Sequence, residues 1–162
     1  MERITITSGK IIVSDPCYSE DTCSSRNRLE VPAVNGEWEV HQIMEDGVVT
    51  ELVAFAVNEE STPSSFWEVT GLTVDSGRMG IYDGEYFMKN KGGRYCESET
   101  FYGRICDGTQ NGHDVFGIDN SGAVCISGYG DGYYQVSYEI DAGNKCVGVR
   151  VNFMDYYEES EE

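Results

Sequence analysis

Four aspartates stand beside turn-forming residues, and their spacing is the first feature of the chain that suggests chemistry. Asp15 precedes a proline, Asp75 opens an Asp-Ser-Gly triplet, and Asp83 and Asp131 each precede a glycine. Converging carboxylates either bind a cation or accept hydrogen bonds from backbone N–H groups in tight turns. If all four lie at strand ends, they can share one rim of the fold. Turn chemistry of this kind favours the structural role.

The segment SGYGDGYYQV, residues 127–136, gathers glycines and tyrosines around one of these aspartates. Glycine adopts positive φ at little cost, so the segment predicts a tight corner that leads into a strand. The alternative is a rim loop in which Tyr129, Asp131 and Tyr133 contact a ligand or partner. The candidate binding residues are therefore Asp15, Asp75, Asp83, Tyr129, Asp131 and Tyr133.

A partial match to a calcium-binding loop lies in DGTQNGHDVFGI, residues 107–118. It has Asp, Thr and Asn at loop positions one, three and five and Gly at six, as an EF-hand does. Position twelve, which should supply a bidentate carboxylate, is Ile118, and the pair of helices that flanks an EF-hand loop is missing. We favour a polar turn here. Calcium is the one cofactor that the sequence suggests as a candidate, and we assign no metal ligand.

Catalytic side chains are in short supply. The two histidines are His41, on a strand, and His113, in a loop, and neither a G-x-S-x-G nor an H-E-x-x-H motif occurs. The six cysteines form no C-x-x-C pair, and Cys125 and Cys146 lie in strand-like runs where a buried structural role is expected. Cys106 with His113 is the remaining nucleophile and base pair. No catalytic residue is assigned.

The charge balance is strongly acidic. Eleven basic residues oppose 29 acidic ones, for a formal net charge of −18. Such a chain repels nucleic acid and anionic membranes and attracts basic surfaces. The first residues enter a strand pattern with no signal-peptide core, and no apolar run approaches about 18 residues. We therefore expect a cytoplasmic protein with reduced cysteines, no membrane span and no direct contact with nucleic acid.

Short runs with two-residue periodicity, separated by glycine turns, predict the fold. They indicate hairpins over residues 4–13, 36–57 and 134–153 and two more strands over 66–83, on either side of Gly77. The apolar run at 48–57 predicts a strand covered on both faces. One short helix is expected near residues 101–105, with Ser98 as its cap.

These elements predict a mainly β, or β-rich α+β, fold. We expect one antiparallel sandwich or open barrel with at most one or two short helices. Residues 1–154 form the domain, and residues 155–162 form an acidic tail.

Three motifs occur in a fixed order: IIVSDPCY (11–18), VTGLTVDSGRMGIYD (69–83) and GAVCISGYGDGYYQVSYEIDAGNKCVGVRVNF (122–153). They resemble an uncharacterised family of small bacterial and phage proteins, whose members carry S-D-P-C-Y, V-D-S-G-x-x-x-I-x-D and S-G-x-G-D-G-x-Y followed by a hairpin. The segment FYGRICDG also resembles a Y-x-x-C-C/D segment of that family. Tyr134 stands where proline is common. The resemblance implies an origin and a fold, but no mechanism.

The leading hypothesis is a non-enzymatic interaction protein of phage or mobile-element type. Its acidic, tyrosine-rich surface would bind and inhibit a basic host protein, such as a nucleic-acid-binding defence nuclease. The alternatives are a small-ligand or calcium module built on the Asp-Gly loops, and a hydrolase with a carboxylate or Cys–His site. A homodimer through an open sheet edge is a further possibility.

Overall fold

Most of the structure consists of β-strands, and the prediction of a mainly β fold is confirmed. The computed structural model describes residues 1–18, 27–57, 66–90 and 100–156. The strands are β1 (Glu2–Ile6), β2 (Lys10–Ser14), β3 (Arg28–Pro32), β4 (Gly36–Glu45), β5 (Val48–Ala56), β6 (Phe66–Val74), β7 (Arg78–Asp83), β8 (Phe116–Ile118), β9 (Gly122–Ile126), β10 (Gly132–Ile140) and β11 (Cys146–Tyr156). The helices are α1 (Gly84–Asn90) and α2 (Phe101–Gly108).

The strands form two antiparallel sheets that pack face to face. Sheet A has the order β1-β4-β5-β11-β10-β6, and sheet B has the order β3-β2-β7-β9-β8. Apolar side chains from both inner faces make one continuous core, in which Trp38, Leu52, Tyr134 and Phe153 are fully or almost fully buried. Alternation along each strand places its apolar side chains on the inner face of a sheet. Burial of these side chains is the main contribution to the stability of the fold.

Two of the predicted hairpins are correct. β4 and β5 are joined by a turn in which Asp46 and Gly47 have φ of 51° and 79°. Positive φ at both positions is typical of the type I′ turn that Asp-Gly favours. β10 and β11 pair as expected, with Val136 opposite Val151.

The first predicted hairpin is wrong. β1 pairs with β4 in sheet A, whereas β2 pairs with β3 and β7 in sheet B. The turn between them therefore crosses from one sheet to the other. β6 and β7 are likewise strands as predicted, but they lie in different sheets. Both connections place consecutive strands on opposite sides of the core that the two sheets share.

The prediction that residues 48–57 form a strand covered on both faces is also wrong. Leu52 and Ala54 are buried in the core, but Phe55 on the opposite face is 42% exposed. It stacks on His41 of the neighbouring strand, with ring centroids 5.7 Å apart. The outer face of sheet A is thus partly apolar and open along this strand.

The outer face of sheet B is instead covered by the two helices. Phe87 of α1 and Phe101 and Ile105 of α2 pack on Tyr82 of β7 in a second apolar cluster. The rings of Tyr82 and Phe87 have centroids 4.6 Å apart. This third layer was only partly predicted, because α1 was missed.

The expected helix near residue 101 is present as α2, but its cap differs. Thr100 is the N-cap, and its side chain accepts a hydrogen bond from the Gly103 N–H at 2.9 Å. Ser98, the predicted cap, lies outside the described residues, as do Cys23, Cys96 and the polar loop at 58–65. Threonine is a good cap because its hydroxyl satisfies an N–H group that the first helical turn leaves unpaired.

The last strand runs past the predicted domain limit at residue 154. β11 continues to Tyr156, which pairs with Tyr134. The rest of the predicted acidic tail, residues 157–162, lies outside the described residues. No helix among the described residues is long and apolar enough to cross a membrane.

Candidate functional site

One end of the sandwich brings together three of the segments that the sequence singled out. We call this end the aspartate rim and define it by segment 15–18, turn 75–77 and loop 127–131. The Ser127 N–H donates to the Gly77 carbonyl at 2.8 Å, which joins the loop to the turn. Five candidate residues, Asp15, Asp75, Tyr129, Asp131 and Tyr133, lie on or next to this rim.

Asp15 is fully buried and is the central acceptor of the rim. Its Oδ2 accepts hydrogen bonds from the Asp75 and Ser76 N–H groups at 2.8 and 2.7 Å. Its Oδ1 accepts from the Cys17 N–H at 2.8 Å and from the Ser76 hydroxyl at 2.5 Å. A buried carboxylate with this many donors is satisfied without a cation. Asp15 therefore ties the end of β2 to the turn between β6 and β7.

Asp75 has a different environment, because its side chain is exposed at the mouth of the rim. The Tyr18 hydroxyl donates to its carboxylate in a short hydrogen bond and also contacts the Thr73 hydroxyl at 2.8 Å. Burial and the neighbouring Asp75 carboxylate raise the pKa of Tyr18 above its ordinary value. Tyr133 pairs with Thr73 across β10 and β6, so it stands beside this polar chain.

The loop 127–131 is built as a corner. A Cβ on Gly128 would lie 2.1 Å from the Val49 carbonyl oxygen, and Gly130 has φ of +82°. The Gly130 carbonyl accepts hydrogen bonds from the Ser127 and Tyr134 hydroxyls at 2.7 and 2.8 Å. Backbone geometry thus accounts for both glycines.

Two side chains of this corner face solvent. Tyr129 is 51% exposed, and Asp131 is exposed beside it. They lie where a macromolecular partner can reach them, whereas the backbone of the corner is committed to the fold.

Asp83 lies at the other end of β7, away from the rim. Its Oδ1 accepts from the Thr7 and Ser8 N–H groups at 2.9 Å each, and its Oδ2 accepts from the Tyr86 N–H in the first turn of α1. Burial tends to raise the pKa of Asp83, but these hydrogen bonds outweigh burial and hold it below its ordinary value. Asp83 therefore caps α1 and anchors the β1–β2 turn.

The four predicted aspartates thus do not converge on one rim. The pairing of β7 with β2 shows the separation. Asp83 lies opposite Ile11 at the start of β2, whereas Asp15 follows the end of β2, where Ser14 lies opposite Gly80. Because a strand rises by about 3.3 Å per residue, the two ends of such a strand lie at opposite ends of the sandwich.

The loop that partly matched a calcium site is organised differently. Asp107 lies within α2, and the Thr109 hydroxyl donates to the Ile105 carbonyl and accepts from Arg78 Nε at 2.7 Å each. Asn111 Oδ1 accepts from the His113 N–H. Within the described ranges, no group of three or more His, Cys, Asp or Glu side chains is arranged to hold a metal ion.

The thiols of the rim and core have environments that suppress reactivity. Burial and the nearby Asp15 and Asp75 carboxylates raise the pKa of Cys17. Burial raises the pKa of Cys125 and, to about 12, that of Cys146. Since the thiolate is the nucleophile, these cysteines are poor candidates for covalent catalysis. The other candidate nucleophile and base, Cys106 and His113, lie on different elements. Cys106 is in α2, and His113 is in a loop.

Sequence reasoning missed that the segment 11–18 and the segment 69–83 form one hydrogen-bonded unit. Ser76, Thr73 and Tyr18 were not singled out, although each contacts one of the rim aspartates or its partner. A signal was present, because Tyr18 closes the S-D-P-C-Y motif and Ser76 belongs to V-D-S-G. The tertiary structure joins these two motifs.

No protein-family model, no curated protein and no solved structure matches this chain.

Proposed function

We propose that this protein is a non-enzymatic interaction protein that binds a basic surface of another protein and blocks it. The acidic face that does so includes the aspartate rim. A nucleic-acid-binding protein is the partner class that suits a chain of net charge −18, because its groove is built to attract negative charge. We place the protein in a host cytoplasm and the family resemblance suggests a phage or mobile-element setting.

The distribution of charge is the observation that carries the proposal. Most basic side chains in the described part of the chain are paired locally with its own carboxylates; these are Arg3, Lys10, Arg28, Lys89, Arg104 and Arg150. Arg78 is held by Thr109 and by the Ser76 carbonyl. Most of the described cations are therefore committed, and the surplus of carboxylates is left to set the surface potential.

Part of this surplus lies at the rim or beside it. Asp131 of the rim, Glu45 at the end of β4 and Asp46 in the turn after it are exposed, and none of them forms an ion pair within the described residues. The turn adjoins the rim because the Gly128 N–H donates to the Val49 carbonyl at 3.1 Å. Exposed carboxylates that protrude beside an exposed tyrosine suit recognition of Lys and Arg side chains.

The experiment that tests this function is capture of partners from host lysate with a tagged protein, at low and at high salt. Each captured protein is identified by mass and then tested for competition with nucleic acid. We expect a basic partner whose binding falls at high salt, because screening weakens exposed charge pairs. Release of that partner's nucleic acid by this protein would support the blocking role.

A matched pair of variants makes the test specific to the rim. The rim variant combines Glu45→Gln, Asp46→Asn and Asp131→Asn, and the control combines Glu30→Gln, Glu37→Gln and Glu85→Gln, which lie away from it. Both remove the same charge. Association should slow in the rim variant and stay close to wild type in the control. Equal effects of the two variants, or no salt-sensitive partner at all, would contradict the proposal.

A further inference from the structure

In the part of the chain that the structure describes, the two sheets have four edge strands, and three of them are protected. β1 is short and carries Arg3, β3 carries charged residues and ends at Pro32, and β8 has three residues. Short length, charge and proline are the usual means by which proteins prevent another strand from pairing with an exposed edge.

β6 is the exception. It is nine residues long and pairs with β10 without a bulge, from Phe66 opposite Ile140 to Val74 opposite Gly132. It contains no proline, lysine or arginine. Among the described residues, no strand pairs with its outer edge. The second half of β6 is covered, since Gly71, Leu72 and Val74 are buried. The first half, from Phe66 to Thr70, is left as a regular and largely apolar edge, which is a template for strand addition.

The first half of β6 is exposed on both of its faces. Phe66, Trp67 and Val69 are 52%, 54% and 51% exposed. Because successive side chains of a strand point to opposite faces, Phe66 and Trp67 face opposite sides of sheet A. Both faces of the edge can therefore accept apolar side chains of an added strand.

The charges around this edge are acidic. Glu68 is exposed between Trp67 and Val69, and Glu139 of β10 is the register partner of Trp67. A second copy of the chain would bring another net charge of −18, which disfavours self-association. A segment that carries lysine or arginine between apolar residues suits both the charge and the aromatic side chains.

We propose that the outer edge of β6 binds an extended segment of a partner protein as an additional strand of sheet A, and that this segment alternates basic and apolar residues. Backbone hydrogen bonds along β6 supply affinity, while Trp67 and Val69 on one face and Phe66 and Glu68 on the other supply specificity. The preference for basic residues rests on the proposed function, but the open edge does not.

The test uses the full chain and a synthetic peptide as long as β6 that alternates lysine with valine. Amide exchange of β6 is followed by NMR as the peptide is added. An added strand pairs with every second residue of an edge, so alternate amides from Phe66 to Thr70 should gain protection. A peptide with glutamate in place of lysine should bind at least about tenfold more weakly.

Two variants locate the interaction. Val69→Lys places the residue that naturally protects edges on β6, and we expect about tenfold weaker peptide binding or none. Phe55→Lys is the matched control, because Phe55 is an exposed apolar residue on central strand β5 of the same sheet. Both sites are exposed, so both variants should fold. Equal binding by the two variants would overturn the proposal.

The outcomes separate this inference from the proposed function. Absence of protection on β6 at saturating peptide, or protection that appears with protein concentration alone, would overturn strand addition by a partner. Salt-sensitive capture of a basic protein that leaves β6 unprotected would do the same, while the proposed function survives. If the lysine and glutamate peptides bound β6 equally well, strand addition at the edge of β6 would stand, but the preference for basic residues would be rejected.

Discussion

Asp15 and Ser76 are joined by two hydrogen bonds, from the backbone N–H and from the hydroxyl of Ser76 to the two oxygens of the Asp15 carboxylate. Asp15 directly follows a strand of sheet B, whereas Ser76 lies in the turn through which the chain leaves sheet A. One buried carboxylate thus fixes a crossover between the two sheets. Its chemistry is that of a turn acceptor, and this role determines what its substitution should do.

Asp15→Asn should destabilise the protein by about 3 kcal/mol. One carboxylate oxygen becomes an NH₂ donor that faces N–H or O–H donors, and charge-assisted hydrogen bonds are lost in a buried site. Urea unfolding measures the change in the free energy of unfolding. Asp131→Asn, at an exposed position of the same rim, is the control and should change it by less than about 0.5 kcal/mol. Equal effects would mean that Asp15 does not organise the crossover.

Asp83→Asn should lower stability by about 1–2 kcal/mol at neutral pH, because an amide keeps one acceptor oxygen where both carboxylate oxygens accept from backbone N–H groups. The folded-state pKa of Asp83 is below its ordinary value, so its charged form contributes stability above the unfolded pKa of about 3.9. That contribution is lost as the pH falls through the folded pKa.

The gap in unfolding free energy between wild type and Asp83→Asn should therefore be full above about pH 4 and narrow below it. Urea unfolding at several pH values measures this gap. A gap that widens at low pH would contradict the assignment of the hydrogen bonds to the carboxylate of Asp83.

Gly128→Ala and Gly130→Ala should differ although they stand in one corner. A Cβ on Gly128 would meet the backbone oxygen of Val49 at 2.1 Å, and backbone cannot move away cheaply. We expect a loss of about 3 kcal/mol. A Cβ on Gly130 meets nothing within 4 Å, so only its φ of +82° is penalised, by about 1 kcal/mol. Thermal or urea unfolding ranks the two variants, and the reverse order would show that the corner is built differently.

Cys17 should react slowly with alkylating reagents despite its partial exposure. Burial and the negative charges of Asp15 and Asp75 raise the pKa of its thiol, which lowers the thiolate fraction near neutral pH. Mass spectrometry of iodoacetamide-treated protein should show a rate at least about tenfold below that of free cysteine. In urea the rate should return to the ordinary value, and fast reaction in the folded state would revive a nucleophilic role for this thiol.

Alternation of apolar and polar residues identified most strands before any pairing was known. In β10 and β11 it also identified the buried face, because Val136 and Val151 share a face with every second neighbour. Helix α1 escaped prediction, since its seven residues are too few to establish a helical period, and its start is marked only by Asp83 before a glycine. Asp-Gly signals a turn equally well.

The sequence by itself determined that this protein is an acidic, mainly β chain whose aspartates and glycines shape its turns. Local pattern suffices for this, because strand periodicity and turn propensity depend on neighbouring residues. Only the tertiary structure decided that β1 and β2 belong to different sheets, that Asp15 meets Ser76 while Asp83 lies at the opposite end, and that no described strand pairs with the outer edge of β6. A two-residue period shows which face of a strand is buried. Which strand pairs with it, and which strands cover its buried face, depends on how both sheets bury their apolar faces together.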